Sequence, residues 1–209
     1  MILFKLLFAK QEIIGYNHIV SYNRVLGFYI VFYEGWCCMI HVYYGDGKGK
    51  STAAAGLAAR AAGNGMRVMF VQFLKTDSSG ERLSLEKLET VTLTPCPREL
   101  KFTFEMDEQE KQQASAMFRN LFERSVSAAL SQRYDMIILD EIFDAVNEGM
   151  LGEGQVFEFI ANAPASMEII MTGHDPSERF IDTADYVTEF KKIRHPHDKG
   201  VSGRIGIEF

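Results

Sequence analysis

The sequence predicts an α/β domain built on an open, mostly parallel sheet with helices on both faces. Three observations carry this. From residue 40 onward, short apolar runs alternate with segments of helical periodicity. Three of those runs (residues 67–73, 136–139 and 167–171) are nearly continuous in apolar residues, as strands covered on both sides are. The chain is 209 residues long, 47% hydrophobic and 24% charged, enough for one sizeable core without disulfides or structural metals.

The elements follow in order. Residues 40–44 form a strand, and the glycine-rich turn 45–50 follows it. The alanine-rich stretch 51–62 is helical and is stopped by Gly63 and Gly65. A strand covers 67–73, a short helix 81–89 and a short strand 91–94, which Pro95 and Pro97 end. Asp107 opens a long helix with Glu110 three residues on, a capping-box pattern. Its apolar stripe runs Ala114, Met117, Phe118, Leu121, Phe122, Val126, Ala129, Leu130, and is expected to be core. The strand at 136–139 is closed by Asp140 and Glu141. Helix 155–162, strand 167–171 with Thr172-Gly173-His174 after it, helix 177–183 and strand 186–190 complete the pattern.

Composition excludes several function classes. The net charge of −6 and pI near 5.4 argue against a broad basic face for nucleic acid. Cys37, Cys38 and Cys96 give an odd count and no CxxC spacing, so reduced thiols in a cytoplasmic protein are expected. The apolar run 25–40 is broken by Glu34 and is shorter than the ~20 residues of a spanning helix. No membrane association is expected, and no signal-peptide cleavage pattern is visible. Residues 1–38 hold nine of the 25 aromatic residues and lack clean periodicity. The expected organisation is an extension over 1–38 and one domain over 39–209. Translation starting at Met39 would explain the extension; the alternative is an N-terminal arm over the active site.

In open parallel sheets, ligands bind beyond the carboxyl ends of the strands. Gly45-Asp46-Gly47-Lys48-Gly49-Lys50-Ser51-Thr52 lies at such an end, between a strand and a helix. That context marks a phosphate loop and a P-loop NTPase-like fold. Glycines allow a tight turn with several N–H groups aimed at phosphate oxygens, and the helix start adds its positive end. Lys50 can reach the outer phosphates, and the Ser51 hydroxyl can bind magnesium. The spacing is one residue tighter than usual, since Tyr44 stands where the first glycine is expected. Asp140 and Glu141 end an apolar strand, the position of a magnesium-associated carboxylate in phosphate-loop proteins. These residues define a magnesium-dependent nucleotide-binding protein. They do not say whether phosphorus or ribose carbon 5′ is attacked.

From about Ile40 to the C-terminus the chain resembles the corrinoid adenosyltransferases of the CobA/BtuR type. The resemblance rests on the shortened loop 45–52, on residues 56–63 (GLAARAAG) and 71–75 (VQFLK), and on Phe102-Thr103-Phe104-Glu105. It continues through Leu139-Asp140-Glu141, Thr172-Gly173-His174, residues 184–189 (ADYVTE), residues 195–200 (HPHDKG) and Gly206-Ile207-Glu208-Phe209. It implies a P-loop, RecA-like fold, homodimerisation, and transfer of the 5′-deoxyadenosyl group of ATP to the cobalt of a reduced corrinoid, with triphosphate leaving. By the same resemblance, Lys50 and the loop act on the triphosphate, and Ser51, Glu141 and Asp140 are magnesium ligands. Phe102 and Phe104 fill the space below the corrin, displace its lower ligand and ease reduction of cobalt. Phe104 stands where the family often has tryptophan. Arg60 matches a nucleotide-contacting arginine, and His174 stands where the family more often has arginine. The basic run Lys191, Lys192, Arg194, His195, His197 and Lys199 is either a solvated surface or a docking point for corrin side chains or for an acidic electron donor such as a flavodoxin. A small-molecule kinase and a noncatalytic nucleotide switch or corrinoid carrier are the rival readings.

Overall fold

The computed structural model describes residues 39–101, 103–131 and 133–208, and the backbone alone of 20–25 and 28–33. Phe102 and Phe209, the thiols of Cys37 and Cys38, and the side chains of the extension over 1–38, on which the short-start and arm readings turn, lie outside the described residues.

Two strands, β1 (Val20–Val25) and β2 (Phe28–Tyr33), pair antiparallel from Val20↔Tyr33 to Val25↔Phe28 in a sheet of their own. No period in the sequence announces them. Their aromatic and β-branched content favours the extended backbone.

The main sheet has six strands: β3 (Ile40–Tyr44), β4 (Val68–Gln72), β5 (Val91–Leu93), β6 (Met136–Asp140), β7 (Glu168–Gly173) and β8 (Tyr186–Glu189). Their order is β5-β4-β6-β7-β3-β8, and every neighbouring pair is parallel. Burial follows position. β4 and β6 are buried at every residue, whereas the edge strand β8 is exposed throughout.

Strand parity divides the core into two layers, because successive side chains point to opposite faces. Val68, Phe70, Met136, Ile138 and Ile170 pack against Ala54, Ala55, Ala58 and Ala61 of helix α1 (Lys50–Gly63) and Leu85 of α2 (Gly80–Leu85). Alanines at this spacing let α1 lie close to the sheet. Met69, Val71, Ile137, Leu139, Ile169 and Met171 face the other way. They meet α3 (Glu108–Leu130), α4 (Ile142–Asn147), α5 (Glu153–Asn162) and α6 (Glu178–Thr183). Helices thus cover both faces, as expected.

The capping box of α3 forms as its sequence predicts. Asp107 Oδ1 accepts from Glu110 N at 2.8 Å, and Glu110 Oε2 accepts from Asp107 N at 3.0 Å. Its apolar stripe is narrower than expected. Ala114, Phe118, Phe122 and Ala129 are buried, but Met117 and Leu130 sit at the rim and are exposed. The helix α2 ends at Leu85, short of the expected Glu89, and α4 was not expected at all.

Candidate active site

The phosphate loop leaves β3 and enters α1, whose first residue is Lys50. Gly45 and Gly49 adopt φ of 114° and 123°, a region open chiefly to glycine. Gly47 is required for another reason: a Cβ there would lie 2.6 Å from the carbonyl oxygen of Phe190. The Gly47 N–H donates to that same oxygen at 2.6 Å, and Phe190 N donates to Tyr44 O at 2.7 Å. Asp46 Oδ1 accepts from Lys192 N at 2.9 Å. The segment leaving β8 is therefore a brace behind the loop. Asp46, expected to touch nucleotide, faces this brace instead and does not line the adjoining cavity. Lys192, expected within a basic run, contributes its backbone here.

A cavity of about 580 Å³ opens beside the loop. Gly47, Lys48, Gly49, Lys50, Ser51 and Thr52 line it together with Lys75 and Glu141, and Gly206, Ile207 and Glu208 close one side. Its volume falls within the range of small-molecule sites. Glu208 is held there by Arg204, whose backbone N–H and guanidinium both donate to its carboxylate. Lys50 is only 7% exposed, and its ammonium donates to Gly45 O at 2.6 Å and Gly47 O at 3.3 Å.

The second half of the site lies at the ends of β6 and β7, next to β3. Asp140 is 0% exposed and fully hydrogen-bonded. Its Oδ1 accepts from Thr172 Oγ1 at 2.7 Å; its Oδ2 accepts from Lys75 Nζ at 2.7 Å and Gln72 Nε2 at 3.2 Å. A buried carboxylate needs such partners, because desolvating an unpaired charge is costly. Thr172 Oγ1 also accepts from Glu141 N at 3.0 Å. Glu141 takes φ of 61°, a left-handed conformation that is strained for a residue with a side chain.

Lys75 joins the two halves. Its ammonium donates to Ser51 Oγ at 2.7 Å and lies 3.8 Å from both Glu141 Oε1 and Glu81 Oε1. Ser51, Asp140 and Glu141, far apart in the chain, thus converge on one cation. Hard oxygen donors of this kind suit magnesium. Beside them, Glu141, Asp144 and His174 offer ligand atoms within 4.8 Å of one another. His174 Nδ1 pairs with Asp144 Oδ1 at 2.9 Å, its N–H donates to Asp144 Oδ2 at 3.0 Å, and its Nε2 faces Lys50 Nζ at 3.3 Å.

The electrostatics follow from these contacts. Burial, the hydrogen bond with Asp144 and the charge of Asp140 push Glu141 up to about 7. Burial alone would raise Asp144 too, but hydrogen bonds from His174 and Glu141 outweigh it and hold that carboxyl below its ordinary range. The hydrogen bond to Asp144 raises the His174 imidazole above its usual value. Burial opposes the charge on Lys75, yet Asp140 and Glu141 more than offset it, and its pKa stands above that of an ordinary lysine.

Other expected residues are placed differently. Arg60 is exposed in the last turn of α1, ten residues beyond Lys50 and so about 15 Å along the axis, and it does not line the cavity. Phe104 lies on a 3-10 turn, Thr103–Glu105, and is 80% exposed. Among the functional neighbours, Lys75, Gln72, Thr172, Asp144 and Phe190 were not singled out from the sequence as site residues. Only the presence of Gln72 and Lys75 in the stretch 71–75 and of Thr172 before His174 points towards three of them.

Comparison with known proteins points one way. A family model described as ATP:corrinoid adenosyltransferase BtuR/CobO/CobP matches residues 37–209. The corrinoid adenosyltransferase of Escherichia coli (strain K12) is 32% identical over 177 residues, 82% of this chain and 85% of that protein. Corrinoid adenosyltransferase CobA of Salmonella typhimurium (strain LT2) is 33% identical over 174 residues, with 82% and 85% covered. A corrinoid adenosyltransferase of Pseudomonas aeruginosa is 30% identical over 174 residues, with 80% and 82% covered.

Proposed function

The chain belongs to the ATP:corrinoid adenosyltransferase family, and from that premise we propose how its residues carry out the reaction. The enzyme uses ATP to adenosylate a corrinoid; the kinase and switch readings are not favoured. We assign this activity to residues 39–209, since the family match begins at residue 37.

The observation that carries the reading is the convergence of the loop, Lys50, Ser51 and Glu141 around one cavity, with buried Asp140 tied to its edge through Lys75. The Co(I) centre of the reduced substrate is the nucleophile and needs no protein base. Its electron pair forms the bond to carbon 5′, the carbon–oxygen bond breaks, and that pair leaves on triphosphate. The protein's task is to position both partners and stabilise charge on the leaving oxygens. The amides of residues 48–51 and the start of α1 face the phosphates, since the Gly47 N–H is taken by the Phe190 carbonyl. Lys50 turns from the carbonyls of Gly45 and Gly47 towards them. Ser51, Glu141 and Asp140 would hold magnesium, which supplies further positive charge to the triphosphate. His174, neutral or charged according to pH, stands near Lys50 where it can meet the same oxygens. Phe104, with Phe102 two positions before it, offers apolar rings that provide no ligand atom to cobalt and exclude water.

A flavodoxin-type protein is a fitting electron donor, and a homodimer is a fitting assembly for a surface exposing Tyr186, Val187, Ile193, Ile205 and Ile207. Among the described residues no helix is long and apolar enough to cross a membrane, and we place the enzyme in the cytoplasm. The deciding experiment is anaerobic: protein, magnesium, ATP and chemically reduced cob(I)alamin, followed in the visible spectrum with analysis of the phosphate product. Light-sensitive adenosylcobalamin and inorganic triphosphate are expected. ADP, or ATP binding without any spectral change, would overturn the mechanism.

A further inference from the structure

We infer that Lys75 is an internal counter-cation, which holds Ser51, Asp140 and Glu141 in ligand geometry and gives up that place to the entering magnesium ion. This rests on the assignment of those three residues as the magnesium ligands.

The geometry carries the inference. Lys75 Nζ touches Ser51 Oγ and Asp140 Oδ2, each at 2.7 Å, and lies 3.8 Å from Glu141 Oε1. Its four-carbon stem arrives from the end of β4, next to β6, so the charge comes from a different element than any of the three oxygens. The residue before it, Leu74, takes φ of 52°, a left-handed conformation that leucine rarely adopts. The backbone thus turns sharply just where the side chain must be aimed inward. Four carboxylates crowd this corner: Asp140, Glu141, Glu81 and, through its hydrogen bond with Glu141, Asp144. Without a local cation, Asp140 would be a buried charge with only the neutral donors of Gln72 and Thr172. Lysine suits a temporary occupant. Its ammonium is a compact charge on a flexible stem, and it can swing several ångströms without disturbing the backbone. Released from Asp140, it remains beside the cavity, which it lines with Lys50. There a second ammonium can meet the triphosphate.

The consequence is a competition between Lys75 and magnesium for the same oxygens. Metal binding in the wild type includes displacement of an ammonium, so magnesium alone binds weakly and nucleotide, which receives the released lysine, tightens it. The test uses the full chain with Lys75→Met and Lys75→Gln, the second retaining a polar group should the first fold poorly. Two quantities are measured: thermal stability in EDTA, and Mg2+ affinity without nucleotide by calorimetry. The variants are expected to melt several degrees below wild type in EDTA. Millimolar Mg2+ should restore them, and they should bind Mg2+ at least tenfold more tightly than wild type does. Lys75→Arg, which keeps the charge, should retain wild-type stability in EDTA. A merely structural lysine would lower stability without tightening the metal. Equal or weaker Mg2+ binding in both neutral variants overturns the inference. If wild type instead binds ATP equally with Mg2+ and with EDTA, and no variant binds Mg2+, the ligand assignment itself falls.

Discussion

Replacing Glu141 with glutamine should stabilise the metal-free protein at alkaline pH while disabling its use of magnesium. The folded pKa is about 7 against an ordinary 4.5. Between those values the native protein keeps a proton that the unfolded chain has lost, so stability falls as pH rises through about 7 and is greatest towards the acid side. A displacement of ~2.5 units corresponds to at most about 3 kcal/mol at 1.36 kcal/mol per unit. For a chain of this size that is several degrees of melting temperature, at roughly 2–4 °C per kcal/mol. Glutamine keeps the shape and never ionises. In EDTA, Glu141→Gln should match wild type near pH 4, where both states of wild type hold the proton, melt somewhat higher by pH 5.5 and several degrees higher at pH 8. His174, whose pKa is also raised, adds a loss of stability in the same direction to both proteins. The wild-type slope should therefore be steeper without the variant's being flat. Addition of Mg2+ should raise the melting temperature of wild type in the presence of ATP and leave the variant unchanged. Parallel melting curves for the two proteins from pH 5.5 to 8 would refute the reasoning.

Three further substitutions probe other parts of the site. Gly47→Ala places a Cβ 2.6 Å from the Phe190 carbonyl oxygen, where only backbone could yield; denaturant melts should show a loss of about 1–3 kcal/mol, and calorimetry should show no ATP binding. Phe104→Ala removes an 80% exposed ring, so stability should change by less than about 0.5 kcal/mol. Adenosylation should nevertheless fall at least tenfold when assayed from the Co(II) corrinoid with a reductant, and much less from preformed Co(I). His174→Arg replaces a titrating group with a permanent cation next to Lys50. The KM for ATP should drop a few-fold and lose its rise between pH 6.5 and 8.

Local signals made much of this site legible. The loop spacing between strand and helix located residues 45–52, and an apolar run closed by two acids located Asp140 and Glu141 at the end of β6. The capping box at Asp107 was legible because both of its bonds lie within one turn. What stayed hidden depends on strand order, which no short-range pattern encodes. Phe190 reaches Gly45 and Gly47 only because β8 pairs with β3, and Asp144 meets His174 only because α4 packs on β7. The short helix α4 begins at a left-handed Glu141 with no side-chain cap, so it lacked a start signal. Arg60 is pointed to by the family resemblance alone, and ten residues of helical rise set it away from the loop. Met117 and Leu130 share the period of the α3 stripe yet lie at its margin; periodicity identifies a face and not its width.

The brace behind the phosphate loop also bears on how the protein is made. Asp46 and its partner Lys192 are 146 residues apart in the chain. At ~5–20 residues per second, a ribosome needs roughly 7–30 s to go from one to the other. Throughout that interval the nascent chain carries the glycine-rich segment without the carbonyl and amide that hold it in shape. Chains abandoned before β8 would thus be poor traps for cellular ATP, and nucleotide binding by newly synthesised material would report nearly complete translation.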